Sequence, residues 1–206
     1  MKRMITATAL LMFFSANAFA RISGADSPYQ VRYATNLNIS DSIIDVTNTG
    51  ANSTPTAYGT ICVNVYGLSK GKLIACCSCP VAHDQLVSLS VQKDLLANNN
   101  FPPDSLVIKL ISTLAAEPAQ TGITTVTGCD ASMAGSTGHT IVPGMAAWST
   151  VSQPLSQFSQ ASDATETPFT ASTLSAAELT SLTTKCTPAL GAGSICNSCP
   201  TMILLD

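Results

Sequence analysis

Eight cysteines give this chain its richest source of chemistry: Cys62, Cys76, Cys77, Cys79, Cys129, Cys186, Cys196 and Cys199. Most fall in two clusters, Cys76-Cys77-Ser78-Cys79 and Cys196-Asn197-Ser198-Cys199. Thiols at such spacing can pair as disulfides, cycle as a redox dithiol, or bind a soft metal such as zinc with His83 as a further ligand. The compartment selects among these, because structural disulfides persist outside the cytoplasm and are rare within it.

The N-terminus points outside. Lys2 and Arg3 form a short positive start, Ile5 to Phe14 an apolar run, and Ala18-Phe19-Ala20 supplies the small residues of a signal-peptidase site. Residues 1–20 therefore read as a secretory signal cleaved near Ala20, and the exported product starts at Arg21. The apolar run is roughly half of the ~20 residues that cross a bilayer as a helix, and Met202-Ile203-Leu204-Leu205 is shorter still, so no span is expected after cleavage. In an exported chain an even set of eight cysteines reads as four disulfides, with neither metal nor cofactor. Cys196 and Cys199 lack the strand-then-helix context of a thioredoxin site, and Pro200 stands where haem attachment needs histidine.

Other reactive types are thinly spread, and no catalytic residue is expected. No serine sits in a Gly-X-Ser-X-Gly elbow. The two histidines are His83, followed by Asp84 in a turn that exposes both, and His139, in the glycine-rich stretch after Gly135. Asp41 with Asp45, or Asp163 with Glu166, could serve a glycosidic bond or calcium only if folding joined them, and solvated turn positions are the simpler reading. Trp148 lies in an expected strand and reads as core rather than as a sugar-stacking platform.

Strands must position these groups. Asn36 to Ser40 alternates, placing Leu37 and Ile39 on one strand face, and the phase slips at Ile43-Ile44, after which Ile44 and Val46 share a face. Ile61 to Tyr66, the turn Ser69-Lys70-Gly71-Lys72 and Leu73 to Cys77 form a hairpin. Turning through Lys70-Gly71 sets Leu68 opposite Leu73 and Cys62 opposite Cys79, which makes Cys62–Cys79 the expected pair. The neighbours Cys76 and Cys77 point to opposite faces and so reach different partners, with Cys129 and the C-terminal three available. Further strands are expected at Leu86–Val91, Leu106–Ile111, Ile123–Val126 and Ala147–Val151, a loop at Ser152–Thr173, and a short helix or turn at Gln92–Ala97. Ser175 with Glu178 matches a capping box for a helix over 175–186, closed by Pro188. The sum is a mainly β, disulfide-braced, sandwich-like single domain over 21–206 with one short C-terminal helix.

The stretches Ile61-Cys62-Val63-Asn64-Val65-Tyr66, Cys76-Cys77-Ser78-Cys79-Pro80-Val81 and Leu89-Ser90-Val91-Gln92 resemble uncharacterised exported bacterial proteins. The resemblance covers about a third of the chain and implies bacterial origin without any established activity.

Charge narrows the partners. Of nine Lys and Arg, two leave with the signal, so seven basic residues face twelve acidic ones and the exported chain carries about −5, which disfavours nucleic acid. Only 10% of residues are charged, so the surface is hydroxyl-rich and weakly self-repelling. The expected role is a non-catalytic structural or adhesive protein, secreted or at the cell surface, that associates with itself or with a surface partner as a fibre or matrix subunit. Strand addition by Arg21–Tyr33 or Thr201–Leu205 is the expected mechanism. A carbohydrate or small-ligand module is the alternative, disfavoured by scarce aromatics, and a secreted hydrolase follows it.

Overall fold

A computed structural model describes residues 26–53, 59–97, 99, 103–115, 124–125, 128–154, 162–199 and 203–204. Its strands are β1 (Tyr29–Ala34), β2 (Ser42–Asn48), β3 (Ile61–Ser69), β4 (Lys72–Val81), β5 (Leu86–Ser90), β6 (Leu106–Leu114), β7 (Thr124–Thr125), β8 (Met145–Pro154), β9 (Ser162–Pro168), β10 (Thr170–Ala171) and β11 (Ile203–Leu204), with one helix, α1 (Ala176–Lys185). The fold is mainly β, as expected. A five-stranded antiparallel sheet, β10-β1-β6-β3-β4, faces a four-stranded one, β5-β2-β8-β9, and β7 pairs with β11.

The two large sheets close on one apolar core. Alternate residues Val63 and Val65 of β3, Ile108 and Leu110 of β6, Ile44 and Val46 of β2, and Val87 and Leu89 of β5 all point inward and are buried together. The opposite face of the five-stranded sheet carries Tyr29, Tyr66 and Leu73, and it is covered by α1 through Leu182 and by the short turn at Ala131–Met133. Two buried asparagines are well paired, as burial demands: Asn64 Nδ2 donates to Ile111 O at 3.0 Å while its Oδ1 accepts from Ser78 Oγ at 2.8 Å. Asn48 Nδ2 likewise donates to the carbonyls of Gly59 and Val81.

The hairpin forms where expected, with Lys70 and Gly71 both at positive φ, the geometry of a tight two-residue turn. Leu68 lies opposite Leu73, but the register then shifts, leaving Ile74 as an extra residue on β4. Beyond that bulge Cys79 faces Val63 and Cys62 faces Pro80, so Cys62–Cys79 is not formed. The observed pairs are Cys62–Cys129, Cys76–Cys186, Cys77–Cys196 and Cys79–Cys199, with no cysteine left free. Cys76 and Cys77 do reach opposite sides of the sheet.

Several other expectations change. Asn36–Ser40 is a turn, not a strand: Ile39 N and Ser40 N donate to Asn36 O, Asn36 adopts a positive φ, and Leu37 is buried while Ile39 is 71% exposed. The expected loop Ser152–Thr173 contains β9 and β10. Phe169 N donates to Ala147 O and its side chain enters the core, which carries the chain from one sheet to the other. The segment after β5 makes one π-type turn at Val91–Leu95. Of the stretches expected to add as strands, Arg21–Tyr33 and Thr201–Leu205, the described parts are paired within the chain: Tyr29–Ala34 lies between β6 and β10, and Ile203–Leu204 pairs with Thr124–Thr125, while residues 21–25, 201–202 and 205 lie outside the described residues. Residues 1–25, which include the expected signal, and Ile123 and Val126 lie outside the described residues. The helix at 176–185 is as expected, its first turn capped by Ser175 Oγ accepting from Glu178 N.

Candidate functional site

Trp148 gives the four-stranded sheet a distinctive outer face. Along β8 the inward positions are the small Ala147 and Ser149, and Ser149 Oγ is hydrogen-bonded to Ser42 Oγ at 2.7 Å across the buried face. Strand alternation therefore turns Trp148 outward, where it is half-buried rather than core. The expectation of a core tryptophan is corrected by the two small residues on either side of it.

Register builds a row around the indole. Ser88 of β5, Asp45 of β2, Trp148 of β8 and Pro168 of β9 lie opposite one another, a line of roughly 14 Å at the usual strand spacing. The adjacent row is Ser90, Ile43, Thr150 and Glu166. Asp45 is a mid-strand residue, not a turn position, and its carboxylate accepts from Ser88 Oγ at 2.5 Å and from Thr150 Oγ1 at 3.0 Å. Those bonds fix both hydroxyls, leaving oxygen lone pairs and the remaining carboxylate lone pairs beside the indole. Glu166 and Pro168 are exposed at the rim. Pro168 also lines a groove with Tyr33, Val107 and Thr170 where the chain changes sheets.

This face combines an aromatic plate with hydroxyl and carboxylate acceptors on rigid strands. It can stack an apolar ring face and accept hydrogen bonds from the ring's hydroxyls. Asp163 shares β9 with Glu166, but its side chain lies outside the described set. Asp41 is remote from a ligand role: it accepts from Ser42 N, Gln92 N and Ser90 Oγ and so fastens the start of β2 to the turn after β5.

Comparison with protein-family models, curated proteins and solved structures finds no match for this chain.

The histidines take separate places. His83 Nε2 lies 3.4 Å from Asp84, with both side chains largely exposed, and its ring packs over Gly50, where a Cβ would collide with it. His139 lies in the loop that contains Asp130, where its carbonyl accepts from Gly135 N. Burial pushes the Asp130 carboxyl up, but hydrogen bonds from the Ser132 side chain and from the Ser132 and Gly193 amides, with attraction from His139, outweigh it and hold the carboxyl below its ordinary range. This loop is a brace: Asp130 ties the turn at Ala131–Met133 to Gly193, and Tyr66 Oη donates to Ala131 O at 2.6 Å. Burial, with Asp130 nearby, pushes the Tyr66 hydroxyl well above the ordinary tyrosine range.

The eight cysteines act as staples. Cys76–Cys186 fastens the end of α1 to β4, and Cys62–Cys129 fastens the Asp130 loop to β3. Cys77–Cys196 and Cys79–Cys199 fasten the C-terminal segment along the outer edge of β4, where Ser78 N donates to Ser194 O and Cys196 N to Ser78 O. Among the described residues no helix is long and apolar enough to cross a membrane.

Proposed function

We propose that this protein is a non-catalytic adhesive module, exported to the cell surface or beyond, that binds polyhydroxylated glycan chains on the outer face of its four-stranded sheet. The observation that carries the reading is the cross-strand row Ser88, Asp45, Trp148 and Pro168. Strands hold the row in place, so little ordering entropy is lost on binding. Four disulfides fit an oxidising compartment, and the secretory start of the chain and its resemblance to exported bacterial proteins agree with that setting.

Trp148 is the one tryptophan in the chain, so intrinsic fluorescence reports this site directly. A glycan array should yield a binding polysaccharide, and the matching oligosaccharide should shift the emission of Trp148. Trp148→Ala should weaken that binding roughly thirtyfold, equivalent to about 2 kcal/mol of lost aromatic burial, with thermal stability nearly unchanged. An array on which parent and variant behave alike, or emission unmoved by any retained glycan, sinks the proposal.

Self-association is the second reading, favoured by a different observation. The edge strand β5, Leu86-Val87-Ser88-Leu89-Ser90, carries neither charge nor proline, and Leu86 is 55% exposed. Natural monomers guard such edges, and a second copy could pair along this one. Light scattering of the concentrated, oxidised protein tests it.

A further inference from the structure

Two of the four disulfides lie side by side. Cys77 and Cys79 project from the same face of β4 and bond Cys196 and Cys199 of one Cys-X-X-Cys turn, with Cα separations of 5.2 and 5.6 Å. The sulfurs of Cys79, Cys196 and Cys199 lie within 4.8 Å of one another. A tetrahedral zinc at about 2.3 Å from each sulfur needs sulfurs roughly 3.8 Å apart, about an ångström of closure. Cys77, bonded to Cys196 but outside that group of three, would have to swing in as the fourth donor.

The backbone that carries these sulfurs is positioned without the S–S bonds. Ser78 and the chain at 194–196 exchange two hydrogen bonds, Cys199 N donates to Cys196 O at 3.0 Å to close the turn, and Ser198 N and Oγ donate to Asp94 at 2.6 and 2.7 Å. Asn197 Nδ2 adds a bond to Lys93 O. Reduction thus leaves four thiols on a strand and a turn that remain tied to the sandwich.

We propose that Cys77, Cys79, Cys196 and Cys199 form a redox-gated tetrathiolate site, closed as two disulfides when oxidised and able to bind a zinc-class cation when reduced. Two equivalents of an external dithiol open it: each transfers two electrons and two protons to one disulfide and leaves as its own disulfide. The cation then displaces four thiol protons, giving four metal–sulfur bonds. The other two pairs take no part, since Cys62–Cys129 and Cys76–Cys186 end on different elements. His83, considered as a ligand from sequence, stands apart beside Asp84.

Cobalt(II) serves as the probe. Purified full chain, reduced anaerobically with a phosphine, should bind one cobalt with the intense visible bands of tetrahedral thiolate coordination and keep its β-sheet circular dichroism. Alkylation in the presence of the metal should spare Cys77, Cys79, Cys196 and Cys199 and label the other four. Cys199→Ser should weaken binding at least tenfold, while the double variant Cys62→Ser, Cys129→Ser should bind as the parent does. Absence of the tetrahedral spectrum, protection spread over all eight cysteines, equal affinity of the Cys199→Ser variant, or a reduced chain that unfolds and is not restored by cobalt overturns the proposal.

Discussion

Glu178 sits in the first turn of α1, yet its carboxylate belongs to the sheet: it accepts from Tyr29 Oη at 2.6 Å and pairs with Lys109. Burial pushes its carboxyl up, but the Lys109 and Tyr29 hydrogen bonds and the Lys109 charge outweigh this and hold it below its ordinary range. A carboxyl lowered in the folded state contributes stability that is present above its unfolded pKa, near 4.5, and lost as pH falls through the folded value. Glu178→Gln should therefore lower Tm by about 2–4 °C at pH 7, for roughly 1 kcal/mol in a chain of this size, and by less at pH 3. A gap between parent and variant that is equal at the two pH values rules out the ionic contribution. Sequence spacing identified Glu178 as a capping-box residue, but its partners Tyr29 and Lys109 are distant in the chain and only packing brings them to it. Trp148 differs for a related reason. A lone tryptophan in a strand reads as core, whereas Ala147 and Ser149 take the inward positions of β8.

At the scale of elements, the hairpin β3–β4 and the helix α1 were legible because their signals are local: a Lys-Gly turn between alternating runs, and Ser175 three residues before Glu178. The bulge at Ile74 was not, and one extra residue moved Cys79 from opposite Cys62 to opposite Val63. Strands β9 and β10 were hidden in a Ser-, Thr- and Pro-rich stretch whose pairing is supplied by β8 and β1. The sheet edges are protected unequally. The C-terminal segment covers β4, and Pro168 with Glu166 guards β9, whereas among the described residues β5 has no such device. If β5 is the assembly edge, Leu86→Lys should raise the dissociation constant of self-association at least about tenfold, some 1.4 kcal/mol, and leave Tm within a degree or two. A parent that stays monomeric at high concentration, or a variant that associates as well as the parent, removes β5 from that role.

For the whole molecule, the four disulfides agree with the proposed export. Intact mass of the secreted product should correspond to a chain starting at Arg21 with all eight cysteines paired, so alkylation without reductant adds nothing. A product that retains Met1, or one that takes up alkylating agent, contradicts this. By itself the sequence determined the mainly β class, through period-two alternation broken by Gly, Pro and Asn. It also led to the expectation of four disulfides, through the even number of thiols, and four pairs are observed. Both rest on properties of composition or of neighbours within a few residues. Tertiary structure alone decided which cysteines meet, since 67 to 120 residues separate each pair. It likewise decided that Tyr29–Ala34 and Ile203–Leu204 find partners within the chain and that Ser88, Asp45, Trp148 and Pro168 line up on one face. Register and sheet order carry that information, and they arise when the whole chain closes on its shared core.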